Sequence, residues 1–204
     1  MTLKQALAAG LAAIAVGTAP AAFAQASTYP NQTIKLLVGW TAGGATDLLA
    51  RHLAADMAKQ LEQPVVVDNR AGAVGTIAQS EASRARPDGY TIILATNSTY
   101  AIAPHLIKPL PYGPDALAPV ALVGTSPLIL TVRPTLNAQG VKDVIELARQ
   151  QPGRLNYSSG GNGSTSHLAS ELFKAATGIS VISTTYRGGA QMVTDIAGGS
   201  RSEE

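Results

Sequence analysis

The 204-residue chain contains no cysteine. That absence excludes disulfides, thiolate metal ligands and thiol nucleophiles together. Aromatic residues make up only 4% and charged residues 14%. Basic and acidic residues nearly balance, 15 against 13, for a net charge of +2 with no lysine or arginine run. A nucleic-acid binder needs a basic stripe and stacking aromatics, so that class is excluded. The three histidines, His52, His105 and His167, are scattered and form no HExxH pair, which argues against a zinc site. A G-x-S-x-G elbow, a complete G-x-G-x-x-G fingerprint and a P-loop lysine are missing as well. No apolar run is long enough for a transmembrane helix.

What is present is 46% hydrophobic, enough for a globular core. Lys4 is the only charge among residues 1–25; an apolar run from Ala6 to Val16 follows, then Ala22-Phe23-Ala24 as a small-x-small site. This pattern predicts a secretory signal peptide over 1–24, with Gln25 as the new N-terminus. Export without cysteine is compatible with a bacterial periplasmic protein.

The chain is organised around Ile34 to Leu61: "IKLLVGW", "TAGGATD", then "LLARHLAADMAKQL". Ile34, Leu36, Leu37 and Val38 read as a buried strand. Gly43 and Gly44 allow a tight turn and close approach to a ligand. Thr46 or Asp47 is placed to cap the following helix, and Asp47 suits its positive end. Leu49, Leu53, Met57 and Leu61 recur every fourth residue as the expected inward stripe. Free N–H groups at such a strand-to-helix junction make an anion site.

"VVVDN" after Pro64 is a second strand, "RAGAVG" a glycine loop, and Thr76 to Arg86 a helix with Ile77, Ala78, Ala82 and Ala85 inward. Pro87-Asp88-Gly89 is a turn before the strand "YTIILAT", and Asn97-Ser98-Thr99 a polar loop before a short apolar turn. Strand alternating with helix indicates a parallel α/β sheet. Four prolines between residues 107 and 119 mark a connector. Beyond it, "VALVG" and "LILTV" read as two more strands, and Val141 to Arg149 as a helix. "LNYSS" is a strand, "GGNGSTS" a second glycine loop, and His167 to Ala176 a helix with Leu168, Leu172 and Phe173 on one side. "ISVISTTY", "RGG" and Ala190 to Ala197 complete a last strand, loop and helix.

One strand–glycine loop–helix unit precedes the connector and one follows it. Two α/β lobes are expected, over residues 25–123 and 124–204, sharing a cleft at the carboxyl ends of their strands. The loops offer backbone amides and the hydroxyls of Thr41, Thr46, Ser158, Ser159, Ser164 and Thr165. A helix terminus contributes about 0.3–1 kcal/mol and a charge-assisted hydrogen bond about 1.5–3 kcal/mol. Two termini with four or five such bonds reach the roughly 8 kcal/mol of micromolar binding after association costs. Several residues keep two readings. Asp47 is a cap or a ligand contact, His167 a capping or a lining residue, and Asn162 a turn residue or a contact. Arg187 is an exposed arginine or a carboxylate partner, and Trp40 core packing or a cleft wall.

"YPNQTIKLLVGWTAGGATDLLARHLA", "QPVVVDNRAGAVGTIA", "PDGYTIILAT", "APVALVG", "PGRLNYSSGGNGSTSHLASELFKAATG" and "YRGGAQMVTDIAGG" occur in order from Tyr29 to Gly199. In these motifs the chain resembles the substrate-binding proteins of tripartite tricarboxylate transporters, the TctC or Bug family. The resemblance implies a two-lobed α/β architecture like type II periplasmic binding proteins, and a monomeric, non-enzymatic periplasmic receptor without metal or cofactor. It implies capture of a small carboxylate between the lobes and delivery to the permease subunits of the transporter. By the same resemblance the grip falls to Thr41, Ala42, Gly43, Gly44, Ala45, Thr46 and Asp47 in one loop, partly through water. Ser158, Ser159, Gly160, Asn162, Gly163, Ser164, Thr165 and His167 form the other. Asn97, Ser98, Tyr186 and Gly188 line the same cleft. Family members continue past the Gly-Gly pair, where this chain reads "SRSEE". A truncated receptor, with the second lobe and return segment incomplete, is therefore expected. The alternatives are a non-functional fragment of such a receptor and an α/β enzyme binding a phosphorylated substrate.

Overall fold

The computed structural model describes residues 28–113 and 115–198; the expected signal peptide lies outside them. From Gln32 the described chain forms one compact unit. Strand β1 (Ile34–Val38) is central in a parallel sheet, flanked by β2 (Val65–Asn69) and β3 (Thr91–Leu94). Leu36 stands opposite both Val67 and Ile92. A second parallel pair joins β4 (Asn156–Ser159) to β5 (Ile182–Thr185), with Ser159 opposite Thr185. The α/β class and the parallel pairing follow the sequence reading.

Helix α1 (Ala45–Leu61) covers one face of the first sheet. Its fully buried stripe is Asp47, Ala50 and Ala54; of the row expected, Leu53, Met57 and Leu61 are partly buried and Leu49 lies 46% exposed. Leu36, Val38, Ala50 and Ala54 form the packed core, with Trp40, Leu53, Val65 and Val67 against it. Alanines let the helix axis approach the sheet, and the leucines then fall at the margins of the contact. A leucine row at i, i+4 drifts round the helix, so a neighbouring small-residue row can take the contact.

Helix α2 (Thr76–Arg84) follows β2 through a short turn at Ala73–Gly75. Ala78 and Ala82 are inward as expected, but Ile77 is half exposed and Gln79 is buried. After β3 comes a wide turn, Ser98–Ile102, that runs into α3 (Ala103–Leu106). In the second half, α4 (Val141–Gln150) precedes β4, and α5 (Thr165–Thr177) ends on left-handed Gly178. Leu172, expected inward on α5, is 71% exposed. Helix α6 (Gly189–Gly198) follows β5.

The two strands expected at 120–124 and 128–132 do not form. Both segments are irregular coil with mostly exposed side chains, Val120 at 92% and Ile129 at 77%. A strand requires a neighbour for its backbone groups, and no described strand lies alongside either segment. Apolar runs of strand length do not themselves identify that neighbour.

Two backbones meet closely at the carboxyl end of β1. A Cβ on Gly39 would lie 2.7 Å from the Gly75 Cα and 3.0 Å from its carbonyl oxygen. Neither obstacle is a side chain that can rotate away. Gly39→Ala is therefore expected to destabilise the fold by about 1–3 kcal/mol, the usual cost of overpacking. Gly124→Ala, into open space, is expected to leave the melting temperature unchanged. Equal melting temperatures for the two variants would refute this packing.

Candidate functional site

The loop after β1 is held from within. Helix α1 begins at Ala45 with Gly44 as its cap, so Thr46 and Asp47 stand inside the first turn rather than at the cap. From there Asp47 reaches back: its Oδ2 accepts the Gly43 N–H at 2.8 Å and the Arg51 Nε at 2.9 Å. Its Oδ1 accepts the Asn69 Nδ2 at 3.0 Å. Asn69 also donates to the Trp40 carbonyl at 3.0 Å. This carboxylate is 1% exposed, and its partners are the loop, its own helix and the end of β2. The Arg51 guanidinium holds the Asp47 carboxyl below the usual carboxylate range; burial opposes it, and Gly43 and Asn69 add to the lowering.

The second glycine loop is braced in the same manner. Ser164 caps α5, its Oγ accepting the His167 N–H at 3.2 Å. His167 Nδ1 accepts the Gly163 N–H at 3.5 Å, and its ring stands 6.5 Å from that of Tyr157. Ser159 is fully buried. Its Oγ lies 3.3 Å from Ser183 Oγ and accepts the Gly161 N–H at 3.4 Å. The Ser166 hydroxyl accepts the Gly160 N–H at 3.1 Å.

Several contacts bring the two halves together. Ser98 Oγ accepts the Thr165 N–H at 3.1 Å and lies 3.1 Å from Thr165 Oγ1. A Cβ on Gly188 would fall on the Thr41 Oγ1, and one on Gly44 would lie 3.7 Å from the Gly189 nitrogen. The Trp40 ring lies 3.3 Å from where a Gly160 Cβ would stand. The chain is thus drawn together at Thr41–Gly44, Ser98, Gly160–Thr165 and Gly188–Gly189.

Beside the last contact lies a cavity of about 390 Å³. The first half supplies Trp40, the Gly72–Gly75 loop and Ile107; the second supplies Gly160, Gly161, Asn162, Thr185, Tyr186 and Arg187. Its size falls within the range of small-molecule sites, about 300–1,000 Å³. Of the expected site residues, Gly160, Asn162 and Tyr186 line it directly. Thr41, Gly43 and Gly44 instead face the Gly188–Ala190 segment. Ala42, Ala45 and Asn97 are exposed, and Thr46 and Ser158 half-buried. The Gly72–Gly75 wall was absent from the expected site, although its glycine spacing was visible. Gly72 and Gly75 take left-handed φ values of 137° and 86°, which other residues rarely adopt. They let the loop fold over the end of β1.

Residues 49–202 match the family described as tripartite tricarboxylate transporter family receptor, TctC. A UPF0065 protein of Bordetella pertussis is 40% identical over 171 residues, 84% of this chain and 53% of its own length. Protein BugT of the same organism is 37% identical over 194 residues, 93% of this chain and 60% of its own length. Among solved structures, an R. palustris protein with adipate is 38% identical with a TM-score of 0.80, covering 84% of this chain and 57% of that one. MatC from Rhodopseudomonas palustris, with bound malate, is 30% identical with a TM-score of 0.76, covering 82% and 57%. The chain spans about half to three fifths of the length of these relatives.

The Asp47 network has a pH signature. A carboxyl with a lowered folded-state pKa adds stability that is present above the unfolded value, about 3.9, and is lost as pH falls through the folded value. Asp47→Asn is expected to melt lower than the parent chain at pH 7. The gap between them should narrow as the pH drops below about 4. Melting curves from pH 7 to pH 2 check this; a gap independent of pH would show that the charge is not what braces the loop.

Proposed function

Because the chain belongs to the tripartite tricarboxylate transporter receptor family, we propose that it is a periplasmic, non-enzymatic receptor for a small organic carboxylate. Its ligand sits between two lobes, residues 25–123 and 124–204, and is handed to the permease subunits of such a transporter. The lobe boundary is supported by the two parallel sheets, which occupy 34–94 and 156–185 on either side of the proline-rich connector. A periplasmic location is supported by the family and by the expected signal peptide. No helix of the described residues is long and apolar enough to cross a membrane.

One observation carries the reading. Glycine-rich backbone from both halves, Gly72–Gly75 and Gly160–Gly161, walls a single cavity of ligand size. Glycines let bare backbone form these walls. The Gly75, Gly160 and Gly161 N–H groups donate within the protein, to the Gly72 carbonyl, Ser166 and Ser159, so the donors proposed for the anion are the other amides of the two loops and the polar side chains of the lining. The braced loops at Thr41–Asp47 and Ser158–His167, with Asn97, Ser98, Tyr186 and Gly188, are proposed as the surrounding grip. The buried Asp47 does not repel an anion, because Arg51 neutralises it. That adipate and malate occupy two of the neighbours supports the same ligand class. The enzyme alternative requires a nucleophile, base or metal set. Ser98, Ser159 and Ser164 are buried hydroxyls in or beside the site loops, and their hydrogen bonds go to other hydroxyls and to backbone N–H groups rather than to an imidazole or carboxylate.

Calorimetry on the full chain separates these readings. Micromolar binding of at least one straight-chain dicarboxylate of four to eight carbons is expected, with none of AMP or ATP. Nucleotide binding without carboxylate binding would overturn the receptor reading.

A further inference from the structure

The cavity has one charged side chain. Among its lining residues, only Arg187 carries a formal charge. Two arginines of the first half are occupied: Arg51 holds Asp47 at 2.9 Å and Arg70 holds Asp68 at 2.9 Å. Among the described residues, no carboxylate pairs with Arg187. Its side chain is exposed, yet its backbone is held on both sides. Before it, the Tyr186 N–H donates to the Ser159 carbonyl at 2.8 Å, extending the β4–β5 ladder. After it, Gly188 is packed directly on Thr41. A permanently charged side chain thus springs from a held backbone at the wall of a cavity whose other polar side chains, Asn162, Thr185, Tyr186 and the Trp40 indole, are uncharged. Trp40, Val74 and Ile107 give the same cavity apolar surface.

A single carboxylate held by loop amides and neutral polar side chains does not require a guanidinium as well. A guanidinium stays charged at every relevant pH and matches a carboxylate with two parallel N–H bonds. We propose that Arg187 is a specificity-determining residue that binds a second anionic group on the ligand. The protein then selects small dianions, dicarboxylates foremost, over monocarboxylates of the same carbon chain. The apolar lining accommodates the methylene chain between the two charges. This inference rests on the carboxylate-receptor reading above and adds to it the means of discrimination.

The test uses matched acids: butyrate with succinate, hexanoate with adipate, octanoate with suberate. Each is titrated by calorimetry into the parent chain, Arg187→Gln and Arg187→Lys, with melting curves to confirm that each variant is folded. The parent is expected to prefer one dicarboxylate over its monocarboxylate partner. Arg187→Gln is expected to weaken that dicarboxylate by about tenfold to a hundredfold, the loss of a charge-assisted hydrogen bond, and to leave the monocarboxylate unchanged. Arg187→Lys should keep part of the preference. If Arg187→Gln leaves dicarboxylate affinity intact, or weakens both acids equally, this proposal fails while the receptor reading stands. If the parent binds none of the six acids at millimolar concentration, the receptor reading fails and this inference falls with it.

Discussion

A buried carboxylate ties the first half of the molecule to its loop. Asp47 is inaccessible to solvent, yet it is ionised, because three donors from three elements converge on it. Gly43 belongs to the loop, Arg51 to the helix and Asn69 to the end of the neighbouring strand. An unpaired buried charge would be strongly unfavourable, so the three must arrive together. Their meeting fixes the path of the chain from β1 into α1. Asn69 passes the constraint on to the Trp40 carbonyl, and the Trp40 ring is where the first half meets Gly160. The position of the cavity wall therefore traces back to this one carboxylate.

The remainder of the site is made by closeness rather than by reactive side chains. Gly39 against Gly75, Gly188 against Thr41 and Gly160 against Trp40 are all approaches that a Cβ would obstruct. Such contacts leave backbone and the neutral polar side chains of Asn162, Thr185 and Tyr186 as the chemistry of the cavity beside Arg187, and donors of this kind suit an anion. They do not by themselves suit one anion more than another. That distinction falls to side chains at the rim, where Arg187 stands alone in charge.

Much of the fold was legible locally. The run Ile34–Val38 is buried throughout except at Lys35, and the "VVVDN" and "TIIL" segments pair with it in parallel as the alternation of elements required. Helix α4 ends with Gln151 as its cap, just before Pro152-Gly153, and α5 on left-handed Gly178; proline and glycine do not readily continue a helix. Three readings failed for related reasons. The leucine stripe of α1 gave way to alanines, Leu172 of α5 points outward, and the apolar runs at 120–124 and 128–132 have no strand partner. In each case periodicity identified apolar residues correctly, but what lies opposite them is not local information. Asp47 was read as a cap or a ligand contact; only the location of Asn69 in space shows it as a brace.

Outside residues 120–132, the sequence by itself determined the order of strands and helices; it determined too the parallel class of the sheets, the glycine loops and the family, since all of these reside in short contiguous motifs. Tertiary structure decided which loops share a cavity: the Gly72–Gly75 turn joined the Gly160–Asn162 loop there, while Thr41–Gly44 settled against Gly188–Ala190. The physical reason is that a cavity is a property of distances between residues some ninety positions apart. Those distances are set by backbone approach and buried charge, neither of which leaves a periodic trace along the chain.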